Sequence, residues 1–119
     1  MTNTTRDVVL AYLRAIERNE QAAFLHAEAE VVEHPNRLNP AGVRYDRAAI
    51  LAAAERGAAV MASQRYDVRH MTVEGDRAAV QIAWIGELRD GRTMRAQICS
   101  VIELRDGLVW RQEQYDCFE

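Results

Sequence analysis

Val9, Tyr12, Leu13 and Ile16 recur at intervals of three and four residues, the spacing that lays apolar side chains along one face of a helix. Thr4 or Thr5 stands where a cap belongs, and Asp7 follows in the first turn, where the helix dipole favours an acid. This helix is predicted to end near Asn19, which can cap a second, shorter one from Glu20 to Ala27. Val31-Val32-Glu33-His34 reads as a short strand stopped by Pro35. Pro35 to Asp46 carries two prolines, two asparagines and a glycine, the composition of a loop. Asp46 is placed to cap a third helix, Arg47 to about Ala62, whose many alanines suit close packing against a sheet.

Beyond it the pattern changes to four strand-like runs: Arg65–Val73, Ala78–Leu88, Arg92–Leu104 and Leu108–Phe118. Gly75-Asp76, Asp90-Gly91 and Asp106-Gly107 separate them, and Asp-Gly is a strong tight-hairpin signal. Helices first and an antiparallel meander afterwards is an α+β organisation, in one domain spanning residues 1–119. If both Asp-Gly pairs are two-residue turns, Trp84 lies opposite Gln97 and Cys99 opposite Gln114. Alternation along strands then gathers Val80, Ile82, Trp84, Gln97, Cys99, Val101, Trp110, Gln112, Gln114, Asp116 and Phe118 on one face. The other face takes Met94, Ala96, Ile98, Ser100, Ile102 and Leu104 with Val109, Arg111, Glu113, Tyr115 and Cys117. A bulge would break this register. In this arrangement Cys99 and Cys117 lie on opposite faces, so no disulfide joins them. The first face combines apolar groups with amides, a thiol and a carboxylate, which suits a ligand pocket. The row Met94, Ala96, Ile98, Ile102 and Leu104 would need cover, and a second copy of the chain on that convex face is the expected partner.

Composition narrows the function classes. Hydrophobic residues at 49% and charged residues at 28% fit a globular chain, and a net charge of −3 without a cationic stripe gives no reason to expect nucleic acid. Met1 to Asp7 is polar, without the apolar core of a secretory signal, and the most apolar stretch, Ala48 to Ala54, is too short to span a bilayer. A cytoplasmic location is the expectation. The two cysteines and three histidines lack metal-ligand spacing, so neither metal nor cofactor is expected, and His26 and His70 read as structural.

Val8-Val9-Leu10-Ala11-Tyr12-Leu13, then Val32-Glu33-His34-Pro35, then the Asp-Gly-punctuated meander resemble the nuclear-transport-factor-2-like superfamily. That superfamily includes ketosteroid isomerases and SnoaL-like polyketide cyclases. The resemblance spans about Arg6 to Phe118 and lies in the order of elements rather than in an invariant motif. It implies a cone-shaped, curved antiparallel sheet with three N-terminal helices on its concave side, a pocket open at one end, and a dimer through the convex side. It also implies site positions. Tyr12 falls where ketosteroid isomerases keep an oxyanion-hole tyrosine, His34 where they keep the general-base aspartate, and Cys99 where they keep a protonated aspartic acid. Two of those three residue types differ here, and a thiol is a weaker donor than a carboxylic acid, so steroid isomerisation does not carry over. Glu33-His34-Pro35-Asn36 is closer to the SnoaL-like branch.

The residues themselves point the same way. Imidazole titrates near neutral pH, which makes His34 the first candidate for acid or base, with Asp116 to orient it and Tyr12 to donate to a developing oxyanion. Ile82, Trp84, Gln97, Cys99 and Gln114 are the expected walls. The plain structural alternatives are a His34 that caps a strand end, a core Tyr12 with a satisfied hydroxyl, a Cys99 that merely fills space and a solvated Asp116. Two functions therefore stand at this stage. One is cofactor-free proton transfer on a small, largely apolar carbonyl compound; the other is a non-catalytic ligand-binding or dimerisation domain of the same fold.

Overall fold

The computed structural model describes residues 4–119. The first helix, α1, runs Thr5–Glu17 behind a capping box, with Thr4 Oγ1 accepting from Asp7 N at 3.1 Å and Asp7 Oδ2 from Thr4 N at 3.3 Å. Asn19 takes a left-handed conformation just beyond it (φ 57), which asparagine tolerates. The expected second helix is only a 3₁₀ turn, Gln21–Phe24, because Leu25 already enters a strand. That strand, β1, is Leu25–Glu33, longer than the four residues predicted. The predicted loop 35–46 ends in a short strand, β2, Val43–Asp46, and Asp46 caps the second helix, α2, Arg47–Val60. Among the described residues the fold therefore has two α-helices rather than three. The meander follows as β3 Met61–Glu74, β4 Arg77–Leu88, β5 Thr93–Arg105 and β6 Leu108–Phe118.

The six strands form one sheet in the order β2-β1-β6-β5-β4-β3. Every pairing is antiparallel except β1 with β6, which is parallel, so the sheet is mixed rather than wholly antiparallel. Bulges in β3 and at Glu103/Leu104 bend it.

Register decides which side chains face inward, and here the structure departs from the sequence reading in two places. The loop at Asp90-Gly91 holds three residues, with Gly91 N bonding to Leu88 O at 3.0 Å and Leu88 N to Arg92 O at 2.8 Å. Trp84 consequently lies opposite Ala96, not Gln97. Asp106-Gly107 is the expected two-residue turn, with both residues at positive φ, and Arg105 pairs with Leu108. The bulge at Glu103/Leu104 then slips the pairing by one, so Ser100, not Cys99, lies opposite Gln114. The two slips cancel between β4 and β6 and turn β5 over. Val80, Ile82 and Trp84 still share a face with Gln112, Gln114, Asp116 and Phe118. Gln97, Cys99 and Val101 go to the opposite side.

Ala96, Ile98, Ile102 and Leu104, the row expected to form a dimer interface, are instead core. They pack with Val9, Leu13, Val80, Ile82 and Val109 beneath α1. Both cysteines end on the convex face, where both are free, not on opposite faces. No helix among the described residues is long and apolar enough to cross a membrane.

Candidate active site

α1 presents Val9, Tyr12, Leu13 and Ile16 inward, and these large side chains fill the sheet over β4 and β5. α2 presents Ile50, Ala53, Ala54, Gly57 and Ala58, and none of its residues is buried. The alanine face predicted to pack closely on the sheet stands over a cavity instead. Small side chains leave the space that α1 closes, so the cone is solid at one end and hollow at the other. The cavity measures about 490 Å³. Its far walls are Val31 and Glu33 from β1, Tyr45 from β2, Met61, Gln64 and Tyr66 from β3, and Gln112 and Gln114 from β6. Apolar surface with a few convergent polar groups is the usual make-up of a small-molecule site.

The polar wall is an ordered chain. The Tyr12 hydroxyl donates to Gln112 Oε1 at 2.8 Å, Gln112 Nε2 donates to Gln114 Oε1 at 3.1 Å, and Gln114 Nε2 donates to Asp116 Oδ2 at 3.2 Å. Ser100, buried on β5, lies against both amides at 3.4 Å. All three donors point toward Asp116. Gln112 can hold this place because β6 alternates Gln112, Gln114 and Asp116 inward, each two residues apart.

Glu33 meets the same end of the chain from the neighbouring strand, its Cα paired with that of Gln114. Its carboxylate accepts from Asn36 Nδ2 at 2.9 Å, Asn39 Nδ2 at 3.3 Å and the Tyr45 hydroxyl at 3.4 Å. Asn36 in turn folds the loop, its Oδ1 accepting from Leu38 N and Asn39 N. Burial above all pushes the Asp116 carboxyl up to about 6; the hydrogen bond from Gln114 lowers it, and the lesser influence of the nearby Glu33 charge raises it again. Asp116 Oδ1 is sealed from solvent with no partner, as is Gln21 Oε1.

The predicted site residues divide. Tyr12 and Gln114 line the cavity, and Asp116 adjoins it through Gln114 and Glu33. Tyr12 is 3% exposed and its hydroxyl is committed to Gln112, so it anchors the amide chain rather than offering a free donor. His34 points to the convex face, where Nε2 lies 3.1 Å from Glu113 Oε1 and the ring stacks on Tyr115 at 4.3 Å. In a strand, neighbours face opposite ways, so the residue turned into the cavity is Glu33. Ile82 and Trp84 face inward but are buried under the filled end and do not reach the cavity. Trp84 instead donates to Gln64 Oε1 at 3.1 Å and meets Phe118 edge-on. Gln97 and Cys99 are on the far side of the sheet. The sequence reading missed Glu33, Tyr45 and Tyr66 as cavity residues. Among the described residues no cluster of His, Cys, Asp and Glu could hold a metal ion.

Residues 9–112 match the model of the SnoaL-like domain, and the chain belongs to that family. Solved structures agree on the fold. IdmH, a candidate polyketide cyclase from Streptomyces antibioticus, is 16% identical, with 96% of this chain and 92% of that one covered and a TM-score of 0.78. A ketosteroid-isomerase-like protein from Catenulispora acidiphila, crystallised with trimethylamine, is 16% identical over 94% of this chain and 86% of that one, with a TM-score of 0.76. An NTF2-like protein of unknown function from Burkholderia pseudomallei is 17% identical over 99% and 92%, with a TM-score of 0.78. No curated protein matches the chain.

Proposed function

We propose that the protein is a cofactor-free acid/base enzyme of the isomerase, cyclase or dehydratase type, acting on a small, largely apolar carbonyl compound in the cavity. One observation carries the reading: a carboxylate, Glu33, lines a cavity of about 490 Å³, and behind it stands Asp116, whose carboxyl is raised to about 6. Perturbed acid pairs of this kind suit proton transfer near neutral pH. Glu33, which faces the cavity, takes a proton from the carbon next to the carbonyl. The C–H bond breaks, the electron pair passes into the enolate, and the protonated acid returns the proton elsewhere on the substrate. Asp116 sets the charge of the pair, and Tyr12, through Gln112 and Gln114, positions it. The role first expected of His34 passes to its neighbour. IdmH, a candidate polyketide cyclase, is consistent with a substrate bearing several carbonyls.

The test is α-proton exchange into heavy water, followed by NMR, with a panel of small aromatic and polyketide-type diketones. Wild type should accelerate exchange. Glu33→Gln should lower it about 10²–10⁴-fold, the usual contribution of a positioned base. His34→Ala should leave it unchanged. Ligands that enter the cavity without any exchange would replace this reading with that of a binding domain.

A homodimer through the convex face belongs to the same proposal. Its support is now Tyr115, 44% exposed and stacked on His34, in place of the buried Met94–Leu104 row. Light scattering at tens of micromolar should report a dimer; a folded monomer would remove it.

A further inference from the structure

Tyr66 sits within β3 and lines the cavity. α1 fixes its backbone on both sides: Arg14 Nη2 donates to its carbonyl, and its N–H donates to Glu17 Oε2 at 2.7 Å. Arg14 and Glu17 are themselves ion-paired at 3.0 Å. β3 is an edge strand, and helix side chains satisfy its open rim here, so strand and helix cannot slide without breaking both backbone contacts. The phenol is thereby held from the backbone outward.

Its hydroxyl, by contrast, is unspent. Among the described residues it has no hydrogen-bond partner, and it is not one of the two sealed orphan atoms, Gln21 Oε1 and Asp116 Oδ1. It is a fixed donor that opens on the cavity. Tyr12 offers nothing comparable, since its proton is given to Gln112. Burial first, then the charges of Asp116 and Glu17, hold the Tyr66 hydroxyl well above the ordinary tyrosine value, so it keeps its proton and acts only as a donor.

Resting on the proton-transfer reading above, we infer that Tyr66 supplies the hydrogen bond that stabilises the substrate oxygen as it becomes an enolate. When the α C–H bond breaks, its proton goes to Glu33 and its electron pair moves through the new C=C bond onto the carbonyl oxygen. Negative charge leaves the carboxylate and arrives on the substrate, so the net charge of the site is unchanged. A donor already in place meets that charge without reorganising, which is where such groups contribute most.

Acidic fluorinated phenols, whose ionised oxygen imitates an enolate, test this by calorimetry and absorbance. The pH is set about one unit below the Asp116 value of about 6, so that the acid pair carries a proton. Tyr66→Phe, which removes an oxygen without a partner, should lose about 10- to 100-fold in phenolate affinity, the weight of a hydrogen bond to a charged group. It should keep its affinity for the matching fluorobenzene. A fluorotyrosine at position 66, a stronger donor, should tighten phenolate binding, and Tyr12→Phe, which disturbs only the positioning of the acid pair, should lose less than Tyr66→Phe. Loss confined to Tyr12→Phe, equal loss in both, or no phenolate binding by wild type overturns the inference. Proton exchange on the same variants separates the two claims. Phenolate held through Tyr66 without any exchange keeps the donor and removes the acid/base reading; Glu33-dependent exchange with phenolate indifferent to Tyr66 does the reverse.

Discussion

Asp116 on β6 stands within reach of the Glu33 charge on β1; one of its carboxyl oxygens accepts from Gln114 Nε2 at 3.2 Å and the other is sealed in protein without a partner. Ionising Asp116 therefore places charge where neither water nor a donor fully meets it. Its folded value of about 6 lies above the ordinary 3.8, so the folded state binds the proton more tightly than the unfolded chain does. The stability this contributes is complete below about pH 4 and is lost as pH rises through about 6. Asp116→Asn should consequently raise stability at pH 7.5 by on the order of 1–2 kcal/mol, allowing for solvent screening of this half-buried group. Below about pH 4 it should have little effect. Urea unfolding at the two pH values checks both limbs, and a destabilised Asp116→Asn at pH 7.5 would count against the pair.

Gly86 lies under the indole of Trp84. A Cβ there would stand 2.7 and 2.8 Å from two ring carbons and 3.1 Å from Met61 Sδ. The ring has little room to move, being bonded to Gln64 and set edge-on to Phe118. Gly86→Ala should cost about 1–3 kcal/mol, the usual penalty for overpacking a fixed core. A melting curve indistinguishable from wild type would show that the filled end of the cone is looser than this packing implies.

Ala54 gives the opposite case, because its side chain faces open space. Ala54→Leu should leave thermal stability within about 0.5 kcal/mol of wild type or raise it, as expected for a change that displaces no packed neighbour. It should nevertheless weaken any ligand of the cavity at least tenfold, about 1.4 kcal/mol. Ligand titration of the folded variant decides the matter, and undiminished affinity would move the binding site elsewhere.

How much of this was legible in the sequence depends on what each signal constrains. The cap at Thr4 with Asp7 in the first turn, the helical face of α1 and the Asp106-Gly107 turn are local, and the structure has them as read. The count of residues in a loop and the position of a bulge are not local. A three-residue turn at Asp90-Gly91 and the slip at Glu103/Leu104 each reverse a strand's faces, and together they turned β5 over while leaving β4 and β6 matched. Glu33 and His34 show why the site was harder than the fold. Val31 and Val32 are equally apolar, so the strand carries no alternation to say which neighbour faces inward. The parallel pairing with Gln114 decides it, and that partner lies about eighty residues away. Alanine in α2 was ambiguous for a similar reason, since small side chains serve close packing and open space equally well.

The central claim is that Glu33, in the cavity wall, works beside Asp116, which burial and the Glu33 charge keep protonated up to about 6. Carbon NMR of their side-chain carboxyls across a pH titration measures this most directly. The account predicts that Asp116 titrates near 6 in wild type, falls toward the ordinary carboxylate range in Glu33→Gln, and shifts when a diketone enters the cavity. Titration of Asp116 near 3.8, unmoved by Glu33→Gln and indifferent to bound ligand, would contradict it.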